Sequence, residues 1–339
     1  MIGLETKEVG RTRMSLPSSL GPIRPPSEAY SLLVRATKNC PWNRCEFCSA
    51  FKGAKFELRS VAEVQEDILA ARRWVEEIQE WADRVGHGAG EVAQYNGVLW
   101  LQDDGVKSAF LQDSDTLIMK TEPLSEIVAF LRETFPTLER ICSYARGKTL
   151  FKKKPEELAR LREAGLSRLH VGLETGDSEL LAYIQKGATP EEMIAAGQKA
   201  IAAGFELSEY VMPGLGGRER WEQHAQNSAH VLNEINPHFI RLRTLHLVPG
   251  TPLTEKARRG EFHVQTIEGV LIEIRRFIES LEVTSQLVTS DFAANFYLGE
   301  VDGKLPEDKE RLLEAVGHAL TAWRARGEPK HNPFLSNLN

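Results

Sequence analysis

Ser31-Leu32-Leu33-Val34-Arg35-Ala36-Thr37-Lys38-Asn39-Cys40-Pro41-Trp42-Asn43-Arg44-Cys45-Glu46-Phe47-Cys48 reads as a short apolar strand running straight into a cysteine loop. Leu32, Leu33 and Val34 form a continuous apolar run, the pattern of a strand buried on both faces. The loop after it has the spacing C-x4-C-x2-C. The chain has only 4 cysteines, and three of them sit here. Thiols clustered in this way suit a metal or an iron–sulfur cluster far better than a disulfide framework. The fourth, Cys142 in Ile141-Cys142-Ser143, reads as a small buried side chain on a strand.

The same unit recurs downstream: apolar run, polar turn, amphipathic helix. Strands are expected at 31–35, 109–112, 140–144, 168–173, 205–212 and 238–247. Helices are expected at 61–84, 124–134, 155–164, 178–185, 191–203, 219–235 and 266–281. Val64, Ile68, Leu69, Trp74, Ile78 and Trp81 are read as the inner face of the first of these. Residues 86–96 read as a glycine-rich insertion, and 98–102 as a strand or a helix continuation. Six strand–helix units build an α/β fold: a parallel (β/α) barrel, here a full or partial one, with helices outside. The chemistry of such a barrel collects at the C-terminal ends of its strands. The cysteine loop lies at that end of the first strand. The expected organisation is an irregular N-terminal arm over 1–27, a barrel core over 28–255, and an α-rich C-terminal extension over 256–339 covering the barrel mouth. Within that extension Asp291 and Asn295 are expected four apart on one helix face.

Composition sets outer limits. Of 339 residues, 42% are hydrophobic and 27% charged, an ordinary balance for a globular protein of one or two domains. A net charge of −6 supplies no basic field for nucleic acid. Lys152-Lys153-Lys154 reads as a solvated helix start. No run of about 18 apolar residues is present, so no membrane helix is expected. Residues 1–26 carry charges and prolines in place of an apolar signal core, so a cytoplasmic location is expected. That reducing compartment suits free thiols.

Three occupants of the loop compete. Zinc would want a fourth Cys or His at short spacing, and no histidine occurs before residue 87. A plant-type [2Fe–2S] centre shares the spacing but would need Cys142, two helices downstream. A [4Fe–4S] cluster with one open iron needs only the three thiolates. On these residues the chain resembles the radical S-adenosylmethionine (SAM) superfamily. Its common loop is C-x3-C-x2-C with an aromatic residue before the third cysteine, the position of Phe47. The loop here is one residue longer.

The resemblance spans roughly 30–255 and implies roles for later strand ends. It makes Cys40, Cys45 and Cys48 the cluster ligands. Gln112, Asp113 and Ser114, in Gln112-Asp113-Ser114-Asp115, take the place of the polar motif near the SAM amino group. Arg146 looks like the clamp on the methionine carboxylate. Glu174, in Gly172-Leu173-Glu174-Thr175-Gly176, looks like the acid that accepts from the ribose hydroxyls. Pro213-Gly214-Leu215-Gly216-Gly217 looks like the loop on the adenine side. Arg241 and Arg243 alternate with leucines. They share one strand face, which points either into the barrel toward an anionic ligand or acid, or out to the rim. Among the histidines, His170 reads as a core residue, and His224 and His230 are six apart, a poor spacing for shared ligation.

The Gly172–Gly176 and Pro213–Gly217 stretches also resemble those of coproporphyrinogen-oxidase-like (Elp3/HemN-type) radical SAM proteins, and the resemblance implies an enzyme. Its cofactors would be a [4Fe–4S] cluster and SAM. It would cleave SAM reductively and abstract hydrogen from a small, anionic substrate, fed by an electron donor such as flavodoxin or ferredoxin. A haem or cluster carrier on the same scaffold and an RNA-modifying enzyme are the alternatives.

Overall fold

The computed structural model describes residues 23–299, 301–327 and 334. Most of the expected N-terminal arm lies outside these residues. Within them, Pro26–Glu28 forms one 3-10 turn that carries Glu28 into the interior. An eight-stranded sheet follows: β1 (Leu32–Val34), β2 (Ser108–Leu111), β3 (Arg140–Ala145), β4 (Leu166–Glu174), β5 (Glu206–Val211), β6 (Phe239–Leu242), β7 (Gln286–Val288) and β8 (Gly303–Lys304). Spatial order equals chain order. Every neighbouring pair is parallel except β7 with β8. β1 and β8 are its edges, so the barrel is partial.

The crossovers carry α1 (Val61–Val85), α2 (Ala89–Tyr95), α3 (Thr121–Thr134), α4 (Gly147–Lys152), α5 (Pro155–Ala164), α6 (Ser178–Tyr183), α7 (Pro190–Ala202), α8 (Trp221–Ile235), α9 (Pro252–Arg258) and α10 (Ile267–Ser280). α11 (Lys309–Arg326) closes the extension against α10. Their starts are written in the sequence. Ser60 with Glu63 and Thr189 with Glu192 form capping boxes, each satisfying two orphan backbone donors. Pro155, Pro190 and Pro252 occupy first-turn positions where no backbone donor is needed.

Several expectations are corrected. The inner face of α1 is Val64, Ile68, Ala71, Val75, Ile78 and Ala82. The buried stripe runs through Ala71, Val75 and Ala82, on the face that meets the neighbouring helices, and this leaves Leu69 and Trp81 exposed. The 86–96 insertion contains α2, and 98–102 is neither strand nor helix but a turn closed by a Gln102–Gly105 bridge. β6 ends at Leu242, five residues early. The C-terminal extension is α-rich and also adds β7 and β8 to the sheet. Asp291 and Asn295 lie on no shared α-helix; only Ala293–Asn295 is helical, as one 3-10 turn. Lys153 is not solvated. Its Nζ donates to the Met119 carbonyl (2.9 Å) and Thr121 Oγ1 (3.0 Å), in a buried position beneath α3.

Candidate active site

At the C-terminal ends of the strands a cavity of about 240 Å³ is lined by Cys40, Cys45 and Cys48 together with Phe47, Ser114, Arg146 and Glu174. The cysteine loop is held by a two-stranded ribbon, Thr37–Lys38 against Glu57–Leu58, which closes off residues 39–56 like the neck of a bag. Asn39 and Asn43 take positive φ (69° and 49°), a conformation asparagine tolerates better than most residues. Asn43 Nδ2 donates to the Phe51 carbonyl at 2.6 Å, and its backbone N–H lies 3.3 Å from Cys40 Sγ.

The additional residue of this loop accompanies a braced tryptophan. Trp42 Nε1 donates to the Gln185 carbonyl at 2.7 Å. The guanidinium carbons of Arg44 and Arg146 each lie 5.0 Å from its ring centroid. The ring packs so closely on Gly187 that a Cβ there would come within 2.4 Å of it. The cysteine loop is thereby tied to the segment after α6 and to Arg146.

β4 delivers Glu174 through a register shift against β5 between Gly172 and Glu174. Glu174 itself has φ 63°, a strained conformation for a non-glycine residue of the kind that bulges produce beside functional sites. Lys186 Nζ donates to Glu174 Oε1 at 2.8 Å. A Cβ on Gly172 would lie 2.2 Å from that oxygen, so only glycine leaves room for the pair. Arg146 Nη2 donates to the Lys186 carbonyl at 3.0 Å, and the Arg146 backbone N–H donates to Asp115 Oδ1 at 3.2 Å. Burial lifts the Asp115 carboxyl to about 6, against the bond from Thr149 Oγ1. Burial likewise pushes the Cys45 thiol up, opposed by Lys186 and then Arg146, and pushes Cys48 up.

The cavity floor is aromatic. Phe110 meets Tyr144 edge-on at 5.1 Å, and Tyr144, His170 and Tyr210 follow at 6.0 Å spacings. Burial raises the Tyr144 hydroxyl well above its ordinary range and the Tyr210 hydroxyl to about 12, so both remain protonated.

Not every expected site residue meets here. Gln112 is buried and Asp113 accepts from Arg35 Nε (2.7 Å) and the Asn39 backbone (2.8 Å); neither lines the cavity. Asp113 anchors the neck of the cysteine loop, while the Gln112 backbone N–H donates to the Val34 carbonyl at the end of β1. Arg241 bonds Asp291 and Ser208 below the cavity, and Arg243 lines the cavity in its place. Of the loop after β5, Met212 alone reaches the lining; Gly214 is tied instead to Glu273 on α10 by a 2.9 Å bond. Lys186, Tyr144, Tyr210 and Arg243 also line the cavity. Lys186 was not foreseen, since a lysine in a short turn after α6 carries no pattern. Cys142 lies among Glu28 and His170, away from the other thiols, so it is no fourth ligand for them.

The donor set fits an iron–sulfur cluster. The three loop thiols are free of disulfides, face one cavity, and have a backbone N–H beside one sulfur. Among the described lining residues there is no histidine, and the acid there, Glu174, is already held by Lys186.

A family model for the radical SAM superfamily matches residues 34–226, more than half of the chain, and the chain belongs to that superfamily. It is accordingly an enzyme that uses a [4Fe–4S] cluster and SAM. A tRNA uridine(34) acetyltransferase of Methanocaldococcus jannaschii is 26% identical over 128 residues, 37% of this chain and 23% of that protein. The match thus spans less than a quarter of the curated relative's length. Coproporphyrinogen III oxidase (HemN) from Escherichia coli aligns with a TM-score of 0.48 at 17% identity, over 74% of this chain and 51% of that one. Methylornithine synthase (PylB) aligns with a TM-score of 0.48 at 15% identity, over 91% and 87%. Among the described residues no helix is long and apolar enough to cross a membrane.

Proposed function

We propose that Cys40, Cys45 and Cys48 hold the cluster and that SAM lies across the cavity toward Arg146 and Glu174. The observation that carries this reading is the convergence of three free thiols with those two side chains on one cavity. When bound, the cluster and SAM supply reductive cleavage of a sulfonium bond, giving methionine and a 5′-deoxyadenosyl radical that abstracts hydrogen from a small substrate.

The chain's own residues position and exclude. The Arg146 fork, fixed by Trp42 and the Lys186 carbonyl, is placed to meet the methionine carboxylate. Glu174, held by Lys186, offers its remaining oxygen to a ribose diol. Phe47, Phe51, Met212 and the two tyrosines wall off water from the reactive carbon. Ser114 Oγ donates to the Asn39 carbonyl, joining the β2 end to the loop. Asp113 acts one layer behind, on the loop neck, Gln112 ties the end of β2 to β1, and Arg241 acts below the cavity through Asp291. The electron comes from a one-electron carrier of the flavodoxin or ferredoxin type.

The test is anaerobic reconstitution, then dithionite and SAM. Wild-type protein is expected to yield 5′-deoxyadenosine. Each Cys→Ala change at 40, 45 or 48 is expected to lower bound iron and abolish the product. Full iron loading with no 5′-deoxyadenosine would favour a cluster or haem carrier. A tight, salt-dependent tRNA complex would move the substrate to RNA.

A further inference from the structure

We infer that Arg243 anchors a carboxylate on the substrate. This rests on the SAM-cleaving reading of the same cavity and names the class of molecule that enters it. The Arg243 guanidinium carbon lies 4.9 Å from the Tyr210 ring centroid and 4.9 Å from that of Phe292, so two aromatic rings pack against the fork, and the Tyr210 hydroxyl shares a hydrogen bond with it. Its Nη2 is buried, and among the described residues it has no hydrogen-bond acceptor. Nor does any acid there form an ion pair with it. A buried donor left unmade costs roughly 1–3 kcal/mol, and more when charged.

The other cations at this end of the barrel are all occupied. Arg241, two residues earlier, is met by Asp291 and Ser208. Lys186 is paired with Glu174. Arg146 gives Nη2 to a backbone carbonyl and stacks on Trp42. Arg243 alone among these lining cations keeps a buried donor unused, and that residue borders the space shared with the cysteines. Two rings beside the fork leave the buried Nη2 as its unmet corner, next to a cavity of about 240 Å³. A guanidinium so placed suits an oxyanion, and a planar carboxylate matches a flat group between aromatic rings. Asp291 fixes Arg241 from the same C-terminal segment that supplies Phe292. That segment thus neutralises one arginine and clamps the other open.

The experiment uses full-length, cluster-loaded protein with SAM bound and no reductant. Glutarate is the charged probe and glutaramide its uncharged counterpart, titrated by calorimetry. Glutarate is expected to bind and glutaramide not to. Arg243→Met should weaken glutarate at least about tenfold more than it weakens SAM. Arg243→Lys, which keeps the charge but not the fork, should fall between. Three results would overturn the assignment: equal loss of SAM and glutarate in R243M, which gives Arg243 to SAM; equal binding of the two probes; or binding of inorganic phosphate without glutarate. Since binding is read without turnover, absent 5′-deoxyadenosine would sink the catalytic reading and leave this one standing.

Discussion

The two ends of the barrel interior treat charge in opposite ways. At the N-terminal end Glu28 is wholly buried and every neighbour answers it. Ser31 Oγ donates at 2.6 Å, Arg140 Nη2 at 3.2 Å, Arg168 Nη1 lies at 3.6 Å and His170 Nε2 at 3.4 Å. At the C-terminal end Arg243 keeps a buried donor without an acceptor, Glu174 sits in a strained backbone, and three thiols face open space. One end is a plug whose acid is paired within the protein, although Arg140 Nε is left unmet; the other brings its unmet groups to a cavity. Buried polar groups are normally satisfied by the protein, so unmet groups that border a cavity mark the end that binds.

The sharpest way to break this comparison is to open the plug. Burial raises the Glu28 carboxyl, but the bonds from His170 and Ser31 and the field of Arg140 outweigh it and hold the group at about 2. Its unfolded value is 4.5. A depressed carboxyl stabilises the fold above the unfolded value, and that stability is lost as pH falls through the folded one. Wild-type stability should therefore decline between about pH 4.5 and 2, by roughly 3 kcal/mol from this group. Glu28→Gln should lose a similar amount at pH 7, since it leaves Arg140 without its buried acid and Arg168 with Glu206 alone, and should flatten that acid arm. Urea unfolding at pH 7 and pH 3 measures both. A Gln variant as stable as wild type at pH 7 would mean the plug is not a structural device. SAM affinity, set at the other end, should change far less than stability.

Lys186→Met makes the complementary break. Glu174 would lose its ion pair and with it the contact that holds a positive-φ carboxylate in place. SAM affinity should fall about tenfold, while stability should fall less than in the Glu28 change, because Glu174 borders the open cavity and can be solvated there once its partner is gone. Lys186→Gln, which keeps a donor, should recover part of the affinity. A loss of stability larger than the loss of SAM binding would make Lys186 a fold residue and erase the contrast between the two ends.

Much of this contrast was legible in the chain, and the remainder had physical reasons to be hidden. Strands β1–β6 announce themselves because a sheet covered by helices buries both faces, leaving apolar runs. β7 and β8, at three and two residues, are too short to show a period. The cysteines, Phe47, Ser114, Arg146 and Glu174 converge as their places at strand ends imply. Period two treats Arg241 and Arg243 alike, but the strand ends at Leu242, and which of the two stays open is decided by Asp291, some fifty residues on, which no local pattern encodes. Lys153 shows the same limit. A lysine inside a basic run reads as solvated, yet this one reaches a backbone carbonyl under α3. The lengthened cysteine loop acquires a reading only in three dimensions, where Trp42 meets Gly187 and two arginines.

The smallest effect is expected at Cys142, and it tests whether the plug is inert. Glu28, Cys142 and His170 place ligand atoms within 4.8 Å of one another, a spacing a metal ion can use. The surroundings oppose a cation: Arg140 and Arg168 both face the same carboxylate, and its oxygens already accept from Ser31 and Arg140. Burial, reinforced by Glu28, keeps the Cys142 thiol protonated far above neutrality, while a metal ligand must be a thiolate. Cys142→Ala should therefore cost only about 1 kcal/mol, the price of a small cavity. Iron per reconstituted chain and SAM affinity should match wild type. A drop in iron, or zinc that follows the thiol, would show that the N-terminal end also binds, and the division between an internally paired plug and an open site would fail.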